Sequence, residues 1–200
     1  MQQTVMPANL HAVVMDHDYL ALSTEDQFLH DANIITTDSL SRDILQKATC
    51  GQAASKLWVD ERTKCLTAST FHRICHLTSK TDRERLVYQL TKPSTLSNEA
   101  TRHGIKYEGV AVAKFEKITG TRTEQCGTFI HPERAYLSAS PDRLLGDDAI
   151  LEVKCPHSAK NKEIMPSTVP YLNVKGGDLS LNTDHMYYSQ IQGQLMCTDR

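Results

Sequence analysis

Long hydrophobic runs are missing from this 200-residue sequence. No apolar stretch reaches the roughly 18 residues of a membrane-spanning helix, so no segment reads as one. The amino-terminal MQQTVMPANLHAVVMDHDYL has no basic region ahead of its short apolar patch, which argues against a secretory signal. Its acids argue against an Arg-rich transit peptide. The six cysteines (Cys50, Cys65, Cys75, Cys126, Cys155, Cys197) never form a Cys-x-x-Cys pair and read as free thiols in a reducing compartment, nuclear or cytoplasmic. His72 and His76 stand four apart on an expected helix with Cys75 beside them, but no second pair completes a zinc set. Internal repeats and low-complexity tracts are absent. A strong charge of one sign is absent too, since the formal net charge is −2.

What is present is the composition of an ordinary globular protein, 40% hydrophobic and 23% charged. The length suits one domain with a short appendage. The small net charge hides an asymmetry. Residues 1–50 hold two basic side chains, Arg42 and Lys47, against seven acids, while 51–92 hold eight Lys or Arg against four acids. A modest basic excess permits a polyanionic partner without demonstrating one; a normally solvated surface explains it as well. Residues 1–35 are acidic and weakly patterned, so they read as a tail or a loosely attached helix.

From 41 to 56, SRDILQKATCGQAASK reads as a short helix broken at Gly51. LTASTFHRICHLT (66–78) offers Thr67 or Ser69 as an N-cap ahead of Phe71, Ile74 and Leu77. A Lys92-Pro93-Ser94 turn follows. NEATRHGIKYEGVAVAKFEKITG (98–120) is the longest clear helix, capped by Asn98 and stopped by Gly120. Its periodicity lines up Gly104, Glu108, Val112 and Phe115, so Glu108 lies on or beside the face to be buried. A buried carboxylate needs a partner, a proton or a metal; alternatively Glu108 sits at the stripe's edge, paired with a nearby lysine. Strands are expected at 126–131, 135–141 and 149–155, with Gly146-Asp147-Asp148 turning between the last two. The prolines and glycines of 156–183 suggest an irregular loop, and 184–197 a closing helix. Helix, hairpin strands and helix describe an α/β arrangement around one sheet.

The segment SASPDRLLGDDAILEVKCP (138–156) poses a question of charge. In an extended strand, alternate side chains share a face, so Ile150, Glu152 and Lys154 point one way while Leu151 and Val153 point the other. The hairpin brings Asp142 to the same edge. Two carboxylates and a lysine at one point suit hydrolysis of a phosphodiester. Hard divalent cations take carboxylate oxygens and activate water, and a lysine beside them orients the attacking water or offsets charge on phosphorus. An ordinary strand-end ion pair with an unrelated loop acid fits that spacing equally well.

Residues beyond the short pattern carry a resemblance. SPD…LEVKCP resembles the PD-(D/E)xK nucleases, specifically the YqaJ-type viral recombinase, or lambda exonuclease-like, family. GQAASKLWVDERTKCLTASTF is similar to that family's amino-terminal block, RHGIKYEGVAVAKFEKITG to its Gly-x-x-x-Glu helix, and YYSQIQGQLMCT to its Tyr-x-x-Gln-x-Gln helix, in the family's order over about 41–199. The resemblance implies an α/β restriction-endonuclease-like core, a central mixed β-sheet flanked by helices, over 41–200 behind an acidic extension at 1–40. Members continue into a further strand after the glutamine helix, so a sheet lacking its C-terminal strand is expected of a sequence ending at Arg200.

By the same resemblance, Asp142, Glu152 and the carbonyl of Val153 hold metal, with Glu108 as the helix carboxylate. Lys154 is the catalytic lysine, and Gln190 is the active-site glutamine. Trp58, Arg62, Ser69, Tyr187 and Gln192 contact DNA, with Arg62 and Ser69 on a 5′-phosphate. Trp58 in the core and Ser69 as a plain N-cap are the structural alternatives. The family usually has glycine after the aspartate; here Arg143 either strains the hairpin or adds a phosphate contact. The implied activity is a Mg²⁺-dependent (or Mn²⁺-dependent) deoxyribonuclease, a 5′→3′ exonuclease on double-stranded ends in recombination or repair. Endonuclease action shares the same metal core. A non-catalytic DNA-binding or interaction module derived from this fold is the alternative. A homo-oligomer and a recombination partner protein are the further partners implied.

Overall fold

The computed structural model describes Ser23, residues 38–92 and residues 98–200. The rest of the expected acidic tail and the Pro93-Ser94 part of the expected turn lie outside them. Helix α1 (Ser39–Ala48) starts where the Asp38 carboxylate accepts the Ser41 N–H at 2.9 Å. It ends before Gly51, a 3₁₀ turn follows at Gln52–Ala54, and α2 (Lys56–Arg62) is capped by Ser55.

The helix expected over 66–78 is shorter than its pattern. Leu66–Thr67 forms strand β1, Ala68–Thr70 a 3₁₀ turn, and only Phe71–Cys75 is helix α3. Neither the 3₁₀ turn nor α3 begins with a side-chain cap. Thr67 instead pairs in parallel with Ser138, so tertiary pairing takes the β-branched residue that local pattern assigned to a cap. Helix α4 (Arg83–Thr91), capped by Asp82, was not anticipated. Helix α5 (Glu99–Thr119) follows expectation, with the Asn98 side chain accepting from Thr101 N–H and Gly120 closing the end at φ 71°.

Strands β2 (Phe129–Ile130) and β3 (Leu137–Ala139) complete a three-stranded sheet in the order β1-β3-β2. β1 runs parallel to β3 and β2 antiparallel to it, giving the mixed sheet expected. Helix α6 (Met186–Thr198) packs on β3 and on the Ala68–Thr70 turn, around Ala68, Ala139 and Cys197 with Phe71, Phe129 and Leu137. The approach is close: a Cβ at Gly193 would lie 2.6 Å from the Phe71 ring. All six cysteines are free. The His72 and His76 rings stack at 4.0 Å, and His72 Nδ1 bonds Ser189 Oγ at 3.3 Å, which ties α3 to α6.

Two corrections concern the strands near Asp142. The hairpin through Gly146-Asp147-Asp148 joins β4 (Arg143–Leu145) to β5 (Ala149–Leu151), not the 135–141 strand to 149–155. Pro141 interrupts the first arm because it has no N–H to give a ladder, and its carbonyl accepts from Gln52 Nε2 at 2.8 Å. The second arm stops at Leu151 because Val153 N–H donates to the Asp142 carboxylate at 2.6 Å instead of to a neighbouring strand. The expected loop 156–183 also contains a hairpin, β6 (Leu172–Lys175) with β7 (Asp178–Leu181). Gly176 and Gly177, both at positive φ, form its two-residue turn.

Candidate active site

Asp142 sits immediately before β4, and Glu152, Val153 and Lys154 lie immediately after β5. The antiparallel hairpin therefore returns its two ends to one place. Glu108, from α5, and Tyr187, from the first turn of α6, join them around a cavity of about 430 Å³. Ala100, Thr101, Gly104 and Ile105 of α5 and Tyr171 before β6 complete much of the wall. Glu108 thus occupies a half-buried edge of its helix, turned to the cavity, and Arg143 Nη1 lies 3.9 Å from its Oε1. Arg143 has no positive φ, so the hairpin is not strained there; the guanidinium also donates to the Asp142 carbonyl at 2.6 Å.

The Glu152 side chain is 7% exposed and surrounded by donors. Lys154 Nζ lies 2.5 Å from its Oε1, Gln190 Nε2 donates to the same oxygen at 2.7 Å, and Gln194 Nε2 donates to Oε2 at 2.7 Å. Lys154 also donates to Gln190 Oε1 at 3.2 Å, and its ammonium lies 4.3 Å from the Tyr187 ring centroid. Charge pairing and the quadrupole of the ring together aim the lysine. Gln194 was missed in the sequence, although it stands four residues after Gln190 and so on the same helical face. Gln192, two residues on from Gln190, is exposed and lies apart from these contacts.

Asp142 has lost much of its solvation, and Glu152 and then Glu108 face it with like charge. Together these push its carboxyl up to about 7, against the lowering effect of the Val153 N–H and of Lys154. Asp142→Asn is accordingly expected to raise the melting temperature in EDTA-containing buffer by a few degrees. The amide keeps an oxygen for Val153 N–H while removing a charge from between two others. A thermal melt of the purified variant checks this.

Asp142, Glu152, Glu108 and the Val153 carbonyl are oxygen donors of the kind Mg²⁺ and Mn²⁺ take, and the mutual repulsion of the acids is what a divalent ion relieves. Among the described residues no group of three or more His, Cys, Asp or Glu side chains converges as a metal cluster. The protein's own cations, Lys154 on Glu152 and Arg143 near Glu108, take up part of the charge.

A second cleft of about 340 Å³ lies between α2, α3 and α4. Trp58 and Arg62 line it, and the guanidinium lies 4.4 Å from the indole centroid and 3.4 Å from Ser69 Oγ. Burial lowers the Arg62 pKa. Trp58 Nε1 donates to Ser140 Oγ at 3.0 Å, two residues before Asp142, so this cleft is tied mechanically to the carboxylates. Trp58, Arg62 and Ser69 are therefore brought together, apart from the carboxylate cavity.

Residues 57–200 match the YqaJ-like viral recombinase domain. The chain belongs to that family. Uncharacterized protein R354 of Acanthamoeba polyphaga mimivirus is 25% identical over 173 residues, which cover 78% of this chain and 29% of the viral protein. This YqaJ-like chain therefore spans under a third of that relative's length. The alkaline exonuclease LHK-Exo of Laribacter hongkongensis is similar in structure, with a TM-score of 0.56 and 27% identity over 73% of this chain and 70% of the exonuclease. Its complex with dAMP is similar at a TM-score of 0.55 and 28% identity, with the same coverage. The likeness agrees with a restriction-endonuclease-like α/β core. No helix among the described residues is long and apolar enough to cross a membrane.

Proposed function

We propose that this chain is a metal-dependent deoxyribonuclease that hydrolyses DNA phosphodiester bonds, acting as a 5′→3′ exonuclease on double-stranded ends in recombination or repair. The observation that carries the proposal is the meeting of Asp142, Glu152 and Lys154 at one cavity, in a family member that is similar to an alkaline exonuclease.

Asp142, Glu152 and the Val153 carbonyl, with Glu108 beside them, hold Mg²⁺, or Mn²⁺ in its place. When bound, the ion supplies Lewis acidity and lowers the pKa of water. Lys154 is held by Glu152, Gln190 and the Tyr187 ring, so its ammonium is fixed rather than mobile. From there it orients the attacking water and offsets negative charge that grows on the phosphoryl oxygens. Gln190 and Gln194 fix the two Glu152 oxygens, which limits the carboxylate's rotation. In the neighbouring cleft, Arg62 and Ser69 receive the 5′-phosphate and Trp58 contacts DNA. A homo-oligomer and a recombination partner protein belong to the same proposal.

The engagement of Glu152 by three protein donors favours the second reading, a DNA-binding module that does not cut. One assay separates the two. The full chain is incubated with 5′-labelled linear duplex and with covalently closed circles, in Mg²⁺, in Mn²⁺ and in EDTA. Loss of the linear substrate alone, in either metal and not in EDTA, is expected. A folded chain that leaves both substrates intact while binding them in a salt-dependent manner establishes the module instead.

A further inference from the structure

The carboxylate cavity has a polar floor and a different kind of wall. Asp142, Glu152 and Lys154 form the floor. Tyr171 stands on one side, at the foot of the β6–β7 hairpin, where its carbonyl accepts from Asn182 N–H at 2.8 Å. Its ring packs edge-on against Tyr187 at 5.0 Å and tilted against His185 at 5.7 Å. His185 in turn caps α6 and lies 4.7 Å from Tyr187. The three rings brace one another, so Tyr171 is held although it belongs to a connecting segment. Tyr187 carries the Lys154 ammonium over its ring. Among the described residues no cation sits over Tyr171.

On the α5 wall, Gly104 lines the cavity, and a Cβ built on it meets nothing within 4 Å. Ile105 beside it is 64% exposed. An aliphatic and glycine surface therefore belongs to the same cavity as an aromatic ring, beside the Asp142, Glu152 and Lys154 side chains. A volume of about 430 Å³ has room for a single nucleotide.

We propose, on the basis of the nuclease reading, that Tyr171 together with the Gly104–Ile105 surface forms a base-binding subsite, in which the nucleobase next to the scissile phosphate stacks on Tyr171 and lies against α5. Every base has a π-face, so the subsite is tolerant of sequence. Tyr171 is a positioning residue for substrate, and Gly104 keeps the α5 side of the cavity low.

The test uses the full chain with Tyr171→Ala, Tyr171→Phe and Gly104→Leu variants, each checked for folding by circular dichroism. Gly104 lies inside a helix at an open position, so leucine there fills the slot without disturbing the hairpin, whatever alanine at 171 does to it. Binding is read from quenching of 2-aminopurine in a short single-stranded oligonucleotide in EDTA, and turnover from KM and kcat on linear duplex in Mg²⁺.

Quenching is expected for the unmodified chain and for Tyr171→Phe, and is expected to be lost in Tyr171→Ala and Gly104→Leu. KM is expected to rise about tenfold for the latter two, as removal of one base stack implies, with kcat changed less than twofold and phenylalanine within twofold of tyrosine throughout. If folded Tyr171→Ala and Gly104→Leu retain the quenching and KM of the unmodified chain, the subsite is overturned while the nuclease stands. If no duplex is cut but quenching still depends on both positions, the nuclease fails and the base site remains.

Discussion

Alanine at Lys154 is expected to lower metal-dependent cleavage of linear duplex by between a hundredfold and ten-thousandfold, roughly the range for losing a positioned proton-handling or charge-stabilising group. The geometry explains why so much rests on one ammonium. Lys154 Nζ is joined to Glu152 at 2.5 Å and to Gln190 at 3.2 Å, and the Tyr187 ring lies against it at 4.3 Å. No second lysine lines the cavity among the described residues, and the Arg143 guanidinium is engaged by the Asp142 carbonyl beside Glu108. Gln190 and Gln194 still donate to Glu152 when the lysine is gone, which limits the structural damage. An uncompensated carboxylate pair nevertheless remains, at a cost of about 1–3 kcal/mol. The measurement is the initial rate on labelled linear duplex in Mg²⁺, at a temperature where circular dichroism shows the variant folded. Cleavage within threefold of the unmodified chain would remove Lys154 from the catalytic role.

The largest structural effect is expected far from that lysine, at Gly127. A Cβ there would lie 2.1 Å from the Gln46 carbonyl oxygen, 2.2 Å from Thr49 Oγ1 and 2.7 Å from the Thr49 carbonyl carbon. Two of these atoms are backbone and cannot swing aside. The contact is tight because the end of α1 docks directly on the chain leading into β2: Thr49 is fully buried, and its Oγ1 accepts Thr128 N–H at 2.8 Å. Gly127→Ala must push α1 away, breaking that hydrogen bond and straining the Gln52 bonds to the Cys126 and Pro141 carbonyls. Overpacking together with a lost buried hydrogen bond costs about 3 kcal/mol, or roughly 10 °C of melting temperature for a domain of this size. Because Gln52 holds the carbonyl just before Asp142, activity is expected to fall before the protein unfolds. A thermal melt and a cleavage assay on the same preparation check both effects. An unchanged melting temperature would mean that α1 does not seat here.

Much of the site was legible because its residues lie close together in sequence or on strong local patterns. Strand alternation puts Glu152 and Lys154 on one face, and the two side chains do meet at 2.5 Å, although β5 ends at Leu151 and neither residue belongs to a strand. Helix α5 carries its own start and stop in Asn98 and Gly120, so its span was readable, and with it the stripe through Gly104 and Glu108. The β6–β7 hairpin was not read. Prolines and glycines crowd that stretch and mask the alternating residues that flank the Gly176-Gly177 turn. The Gln-x-Gln motif points to Gln192, whereas helical spacing puts Gln194 on the face of Gln190, and it is these two that meet Glu152.

By itself, then, the sequence determined the family, the long helix α5 with its own start and stop, and the set of side chains proposed for the chemistry, because each depends on neighbours within a few residues or on an ordered set of motifs. The tertiary structure alone decided the rest. Pro141 and the Asp142 carboxylate redirect backbone hydrogen bonds, so the hairpin beside the carboxylates is β4–β5 and ends before Glu152. Thr67 becomes a strand residue because Ser138 lies alongside it. Tyr171, 29 residues beyond Asp142 in the chain, shares a cavity with it because the returning segment packs on Tyr187. Such pairings are set by long-range packing energies that local propensity does not encode.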